Sequence, residues 1–140
     1  MIKIARASWK NTKDWSLAAW HKADASHYGH PVEYNDKDFR FKATEEGKIV
    51  GLIYGSYISG MIYIEGVITD EKERGKGIGK MLIEKVEEFG RKLGAHKTWL
   101  MTGEKWPENA FYQKLGFEQI ARLHDFNHHQ DFVIYTREIK

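Results

Sequence analysis

The sequence contains no cysteine among its 140 residues. This absence excludes a disulfide framework, a thiolate metal site and a cysteine nucleophile. Proline is also scarce, with only Pro31 and Pro107, and no linker-like or low-complexity segment divides the chain. We therefore expect residues 1–140 to form a single domain, because this length is enough for a hydrophobic core.

Long apolar runs and a large excess of one charge are absent as well. No apolar stretch is long enough to cross a membrane, and the N-terminal segment MIKIARASWK lacks the apolar core of a signal peptide. The formal net charge is only +2, with no long basic run, which argues against a nucleic-acid partner. These features predict a cytoplasmic protein that binds neither membranes nor nucleic acids.

Hydrophobic periodicity predicts alternating strands and helices. The segment IKIARA (residues 2–7) alternates apolar and polar side chains, as a first strand does, and an amphipathic helix follows with Asn11 or Thr12 as its N-cap. Three strands bounded by glycines come next, with a hairpin turn at EEGK: Phe39–Thr44, Ile49–Tyr57 and Met61–Thr69. The clearest helix carries one apolar stripe: Ile78, Leu82, Val86, Phe89 and Leu93.

The rest of the chain continues the alternation with a strand at 97–101, a helix at 108–115 and strands at 117–123 and 131–138. This order predicts a mixed α/β fold with strand–helix–strand crossovers.

A glycine-rich turn, in the segment ERGKGIGKML (residues 73–82), follows the strand Met61–Thr69 and leads into the clearest helix. Its glycines occupy alternate positions beside basic side chains, a composition that suits an anion such as phosphate. The spacing fails the Walker A pattern, because Lys80 and Met81 stand where Gly-Lys is required, and Lys80 also breaks the Rossmann pattern. An ordinary glycine-rich surface turn is the alternative.

This turn and a later segment carry a family resemblance. ITDEKERGKGIGKMLIEKVEEFGRKLGA resembles the acetyl-CoA-binding motif of the GNAT N-acetyltransferase superfamily, and ENAFYQKLGFE resembles the family's later Phe/Leu-Tyr-x-x-x-Gly-Phe segment. The two segments are separated by a helix and a strand, as in the family. The resemblance implies a GNAT-like fold, with a central, mostly antiparallel sheet of about seven strands and about four flanking helices.

The resemblance also implies positions for acetyl-CoA as co-substrate, with no metal. The turn would hold the coenzyme A pyrophosphate, and the preceding strand would pair with the pantetheine arm. The implied cofactor-binding residues are Val67, Ile68, Thr69, Arg74, Gly75, Lys76, Gly77, Ile78, Gly79 and Lys80, with Asn109 added. Two positions depart from the family pattern. Glu71 replaces a common proline, and Lys105 stands where many members carry asparagine, with Asn109 nearer the tyrosine.

Two residues are candidates for catalysis. An alkylammonium has a pKa of roughly 10.4, so an acceptor amine must lose a proton before it attacks a thioester. Glu65 is the ionisable carboxylate of the strand MIYIEGVIT, and partial burial there would raise its pKa towards a useful value. A solvent-facing Glu65 is the alternative. By resemblance, Tyr112 would protonate the leaving thiolate, and a half-buried structural tyrosine is its alternative.

The histidines and the aromatic residues each allow two structural interpretations. His124, His128 and His129 lie with Asp125 and Asp131 in one short segment, which we interpret as a polar loop rather than a zinc site. The aromatic residues of the first helical region and its exit suit either a core or an acceptor pocket: Trp15, Trp20, Tyr28 and Tyr34.

The sequence therefore predicts an enzyme that transfers an acetyl group from acetyl-CoA to a primary amine by direct attack in a ternary complex. The acceptor would be a small-molecule or peptide amine. By resemblance, a homodimer is expected. A non-catalytic acyl-CoA-binding or sensing module of the same fold is the alternative.

Overall fold

The structure is a computed structural model that describes residues 1–140. The chain falls into two compact units, Met1–Tyr34 and Asn35–Lys140. None of the helices has the length and apolar character needed to cross a membrane.

The N-terminal unit consists mainly of helix α1, Trp9–Tyr28. Ser8 is the N-cap, and its hydroxyl oxygen accepts a 3.3 Å hydrogen bond from the backbone N–H of Asn11. The predicted N-caps Asn11 and Thr12 are therefore wrong, since both lie within the helix. The helix ends at Gly29, whose φ of 77° is a left-handed conformation that glycine adopts without strain.

The strand predicted at residues 2–7 does not form. Alternation alone does not create a strand, because the backbone also needs a neighbouring strand to satisfy its hydrogen bonds. The N-terminal segment pairs with none, and the side chains of Ile2 and Ile4 are exposed. The aromatic side chains of this region are likewise exposed rather than core: Trp15, Trp20, Tyr28 and Tyr34.

The second unit contains a single six-stranded sheet in the order β1-β2-β3-β4-β6-β5. Its elements are β1 Lys37–Glu45, β2 Lys48–Ile58, β3 Met61–Thr69, α2 Ile78–Lys92, β4 Lys97–Gly103, α3 Glu108–Lys114, β5 Glu118–Leu123 and β6 Phe132–Glu138. The β3–β4 pair is parallel and the other four pairs are antiparallel. The predicted mixed α/β, mostly antiparallel fold is confirmed, with six strands and three α-helices in place of about seven and about four.

The parallel pairing between β3 and β4 is short. It covers three positions, Met61–Tyr63 against Lys97–Trp99, and the strands are not paired beyond them. Helix α2 makes the crossover that a parallel connection requires. The sheet is therefore open between the C-terminal half of β3 and that of β4.

The core lies between the sheet and α2. The buried side chains of α2 come from its predicted apolar stripe, with Ile78, Leu82 and Val86 each less than a tenth exposed. They pack with buried strand residues: Ile53, Ile62, Ile64 and Leu100. The stripe also includes Phe89 and Leu93, which are partly buried against the same cluster.

A buried polar cluster links α2 to the far half of the sheet. Glu87 of α2 accepts a 2.7 Å hydrogen bond from the hydroxyl of Thr98 on β4 and forms an ion pair with Arg137 on β6. The same guanidinium donates to the backbone carbonyl of Leu115, just after α3, at 2.8 Å. This cluster therefore holds both helices and two strands in one arrangement.

Candidate functional site

The glycine-rich turn leads into the N-terminus of α2. Gly75 and Gly77 have φ values of 84° and 80°, and a Cβ built on either glycine would meet no atom within 4 Å. Gly77 is the N-cap of α2 and no side chain caps the helix. The first N–H groups of α2 therefore have no intrahelical or capping partner, and they lie at the positive end of the helix dipole.

A cleft with a volume of about 730 Å³ opens beside this turn. One side is formed by the end of β3 and the turn, and the other by α3. Its lining residues are Val67, Ile68, Thr69, Glu73, Arg74, Gly75, Gly77, Ile78, Gly79, Lys80, Pro107, Glu108, Phe111, Tyr112, Lys114 and Leu115.

Nine of the eleven residues predicted to bind the cofactor line this cleft, together with Tyr112. The two that do not are Lys76 and Asn109. The Lys76 ammonium is paired with Glu73 three residues earlier, which raises the pKa of Lys76 above its ordinary value. Arg74, Lys80 and Lys114 supply the cationic side chains of the lining.

Asn109 is engaged with the protein itself. Its amide nitrogen lies within hydrogen-bonding distance of three loop carbonyls, those of Gly103, Glu104 and Trp106, at 2.8, 3.2 and 2.6 Å. Its carbonyl oxygen accepts a 2.7 Å hydrogen bond from the hydroxyl of Tyr135. Asn109 thus fixes the loop before α3, and we do not assign it to the cofactor.

Tyr112 is buried among aromatic rings at the side of the cleft formed by α3. Its ring lies 5.2, 5.8 and 5.9 Å, centroid to centroid, from those of Phe111, Phe117 and Tyr135. Burial, with a smaller contribution from the Glu108 carboxylate, raises the pKa of Tyr112 to about 12. The hydroxyl is therefore protonated throughout the physiological range.

Glu65 occupies an irregular position on β3. Tyr54 of β2 pairs with Gly66 while the next residue, Gly55, pairs with Ile64, so Glu65 is the extra residue of a β-bulge. The predicted partial burial is wrong, because Glu65 is exposed. Sequence composition suggested burial since apolar residues precede Glu65, but the bulge and the open sheet place the carboxylate in solvent.

A second, smaller cavity of about 300 Å³ lies at Glu65. Its lining comes from four separate segments: Tyr63, Glu65, Met101, Trp106, Asn127, His128, Gln130 and Phe132. Tyr63 stacks on Trp99 with ring centroids 4.3 Å apart, at the last paired position of β3 and β4. The pKa of Tyr63 is raised above its ordinary value, first by burial and second by the nearby Glu65 carboxylate.

The histidine-rich segment forms a loop between β5 and β6. His129 pairs with Asp125 at 2.9 Å and His124 with Asp131 at 3.1 Å. No group of three or more His, Asp or Glu side chains is arranged to hold a metal ion. The loop contributes His128 to the smaller cavity.

The sequence matches the model of the Acetyltransferase (GNAT) family over residues 4–117, most of the chain. The chain belongs to this family. The predicted resemblance is thereby confirmed, and the match includes both the glycine-rich turn and the segment of Tyr112.

Individual relatives of the GNAT chain agree with this assignment. A glucosamine 6-phosphate N-acetyltransferase of Trypanosoma brucei brucei is 38% identical over 81 residues, which cover 58% of this chain and 46% of that protein. The aligned part thus spans about half the length of the curated relative.

Solved structures share the fold at low identity. An acetyltransferase from Bacillus cereus superposes with a TM-score of 0.72 at 19% identity, covering 97% of both chains. An aminoglycoside 6'-N-acetyltransferase complexed with coenzyme A superposes with a TM-score of 0.68 at 16% identity, covering 76% of this chain and 75% of that one.

Some lining residues of this GNAT chain were not predicted from the sequence. Glu108 and Leu115 lie four and three positions from Tyr112, so helical spacing around the tyrosine was an available signal, and Phe111 directly precedes the tyrosine. On β3, Tyr63 shares the alternation of Glu65. The loop residues of the smaller cavity had no local signal.

Proposed function

We propose that this protein is an acetyl-CoA-dependent N-acetyltransferase that acetylates a primary amine. The observation that carries the proposal is the position of β3 between two cavities. Val67–Thr69 line the large cleft beside the uncapped helix N-terminus, and Glu65 lines the smaller cavity. Two positions along a strand span roughly 7 Å, so a donor and an acceptor group held in these cavities would be close together.

The large cleft fits coenzyme A in shape and charge. The left-handed glycines Gly75 and Gly77 leave open space where side chains would stand, and the N–H groups after Gly77 are available to a pyrophosphate. Arg74 and Lys80 add positive charge. Beyond Tyr63, β3 is not paired with β4. The backbone N–H and C=O groups on that edge of β3 are therefore available to an extended pantetheine arm. When bound, acetyl-CoA supplies the acetyl group as an activated thioester.

Glu65 is the proposed base. It is exposed on the bulge, where its carboxylate accepts the proton of the incoming ammonium directly or through one water. Its role therefore depends on position and not on burial.

Tyr112 is the proposed donor to the leaving sulfur. Because its pKa is about 12, the hydroxyl keeps its proton at neutral pH. Complete transfer to a thiolate, whose conjugate acid has a pKa of roughly 8.5, would be uphill by about three to four units. Tyr112 therefore acts chiefly by donating a hydrogen bond to the sulfur as negative charge develops there.

The acetyl group passes directly to the amine in this proposal. The chain has no cysteine to form an acetyl-enzyme. The hydroxyls before the bulge, Ser56 and Ser59, line neither cavity. Sequential kinetics, with both substrates bound before product leaves, are expected.

The finer features of the function stay predictions. The named trypanosomal relative acts on glucosamine 6-phosphate, which supports an amine acceptor here. A single domain over residues 1–140, a cytoplasmic location, a homodimer and the absence of a metal are not tested by the fold.

The test combines coenzyme A binding with thiol release. Gly77→Ala should abolish coenzyme A binding in calorimetry, because it adds a side chain where the pyrophosphate would lie. Gly47→Ala is the matched control: its φ of 77° and its open surroundings are like those of Gly77, but it lies in the β1–β2 turn. Equal affinity in the two variants would contradict the assignment of the cleft. Coenzyme A binding without thiol release for any amine would favour the sensing module.

A further inference from the structure

The smaller cavity has an unusual distribution of charge. Glu65 is the only carboxylate in the lining, which contains one histidine, His128, and no lysine or arginine. The arginine on neighbouring β5, Arg122, is already paired with Glu104 and Asp131. An anionic group in this cavity would therefore face the Glu65 carboxylate with no lysine or arginine in the lining to balance it.

Aromatic and thioether groups make up much of the rest of the lining. Trp106 packs edge-on against Phe132 with ring centroids 5.2 Å apart, and its indole N–H donates to the side-chain amide oxygen of Gln130 at 3.2 Å. Tyr63 is held by its stack on Trp99. These rings have fixed orientations, and faces of this kind attract ammonium groups and pack against apolar bodies.

We propose that the acceptor is a small monocationic amine with an aromatic or apolar body and no anionic group, bound in the cavity between Glu65 and Trp106. This inference rests on the proposed function and names its substrate class. The cavity volume of about 300 Å³ lies at the lower end for ligand pockets, which suits a small molecule. The class differs from the phosphorylated amino sugar of the trypanosomal relative.

The test uses two matched pairs of acceptors that differ by one anionic group. Phenethylamine is compared with phenylalanine, and glucosamine with glucosamine 6-phosphate, by thiol release at saturating acetyl-CoA. The protein contributes no thiol of its own to the assay, because it has no cysteine. Within each pair, the amine without the anionic group should have a kcat/KM about tenfold higher or more, and phenethylamine should have the highest kcat/KM of the four.

Variants of Trp106 connect the preference to this cavity. Trp106→Ala should raise the KM for phenethylamine by about 3- to 30-fold without changing the KM for acetyl-CoA, and Trp106→Phe should restore most of the affinity. Ile120→Ala, an exposed position on β5 outside both cavities, is the control.

The outcomes separate the two proposals. Higher kcat/KM for phenylalanine or glucosamine 6-phosphate than for their partners, or a Trp106→Ala enzyme with unchanged KM for phenethylamine, would overturn this inference and leave the acetyltransferase intact. Thiol release from none of the amines, with acetyl-CoA bound in calorimetry, would contradict the proposed function itself.

Discussion

The hydroxyl of Tyr135 on β6 donates a 2.7 Å hydrogen bond to the side-chain carbonyl of Asn109 at the start of α3. The same hydroxyl accepts a 3.1 Å bond from Gln113 at the other end of that helix. One buried oxygen thus joins both ends of a seven-residue helix to the sheet. Tyr112 lies between the two bonded residues, so this arrangement fixes its position at the cleft.

Tyr135→Phe should destabilise the protein by about 1–2 kcal/mol, because it leaves the partly buried side-chain carbonyl of Asn109 without its donor. Chemical denaturation measures the change. Tyr28→Phe, at an exposed position on α1, is the control and should leave the midpoint unaltered. An unchanged midpoint in Tyr135→Phe would mean that the bond adds nothing to folding.

Tyr112 gives the stability of the protein a dependence on alkaline pH. Its folded-state pKa, about 12, lies above the ordinary value of 10.0. The contribution of the neutral hydroxyl is therefore complete below pH 10 and is lost as the pH rises through about 12. A difference of two units corresponds to about 3 kcal/mol. Wild type should lose more stability than Tyr112→Phe between these pH values, as measured by urea denaturation at each pH. Parallel curves for the two proteins would contradict the raised pKa.

Glu65→Gln tests the proposed base. Removal of a general base costs about 10²–10⁴-fold in rate, so turnover should fall within that range. The KM for acetyl-CoA should not change, because Glu65 does not line the large cleft. Glu118→Gln, an exposed position on β5, serves as the control in steady-state assays. Full activity in Glu65→Gln would eliminate Glu65 as the base and leave direct transfer possible.

The buried pair Glu87–Arg137 should be needed for stability. Glu87→Ala leaves a largely buried guanidinium without its carboxylate, which typically costs about 3–5 kcal/mol. Glu84→Ala is the matched change on the exposed side of α2, where the partner Lys80 lies 3.9 Å away in a solvent-exposed pair. Denaturation midpoints should fall for the first variant and stay unchanged for the second. Equal midpoints would show that the buried pair is dispensable.

Local patterns were sufficient to predict most of the second unit. The apolar stripe of α2 repeats over four helical turns, and the turn residues of the β1–β2 hairpin are contiguous in the sequence. Local interactions are therefore sufficient to predict both elements. The strand predicted at residues 2–7 failed because pairing is a tertiary property. The bulge at Glu65 could not be predicted from the local sequence either, since it depends on the register between β2 and β3.

The same distinction applies to the candidate site. The turn residues Arg74–Lys80 are contiguous and could be predicted as one anion-binding unit, and most of them line the cleft. The cavity at Glu65 combines β3, β4, the loop at Trp106 and the loop before β6. No sequence spacing brings these segments together, because only the sheet order places β6 beside β4.

The short β3–β4 pairing divides the sheet mechanically into two plates, β1-β2-β3 and β4-β6-β5, joined along a seam of three residue pairs. Helix α2 packs on the first plate, while its Glu87 is bonded to Thr98 and Arg137 on the second. Backbone pairing across the seam is limited to these three residue pairs, whereas each plate is held internally by longer antiparallel ladders. The seam is therefore the line of fewest backbone rungs in the sheet, and the β3 residues just past it, Glu65 and Val67–Thr69, are those that line the two cavities.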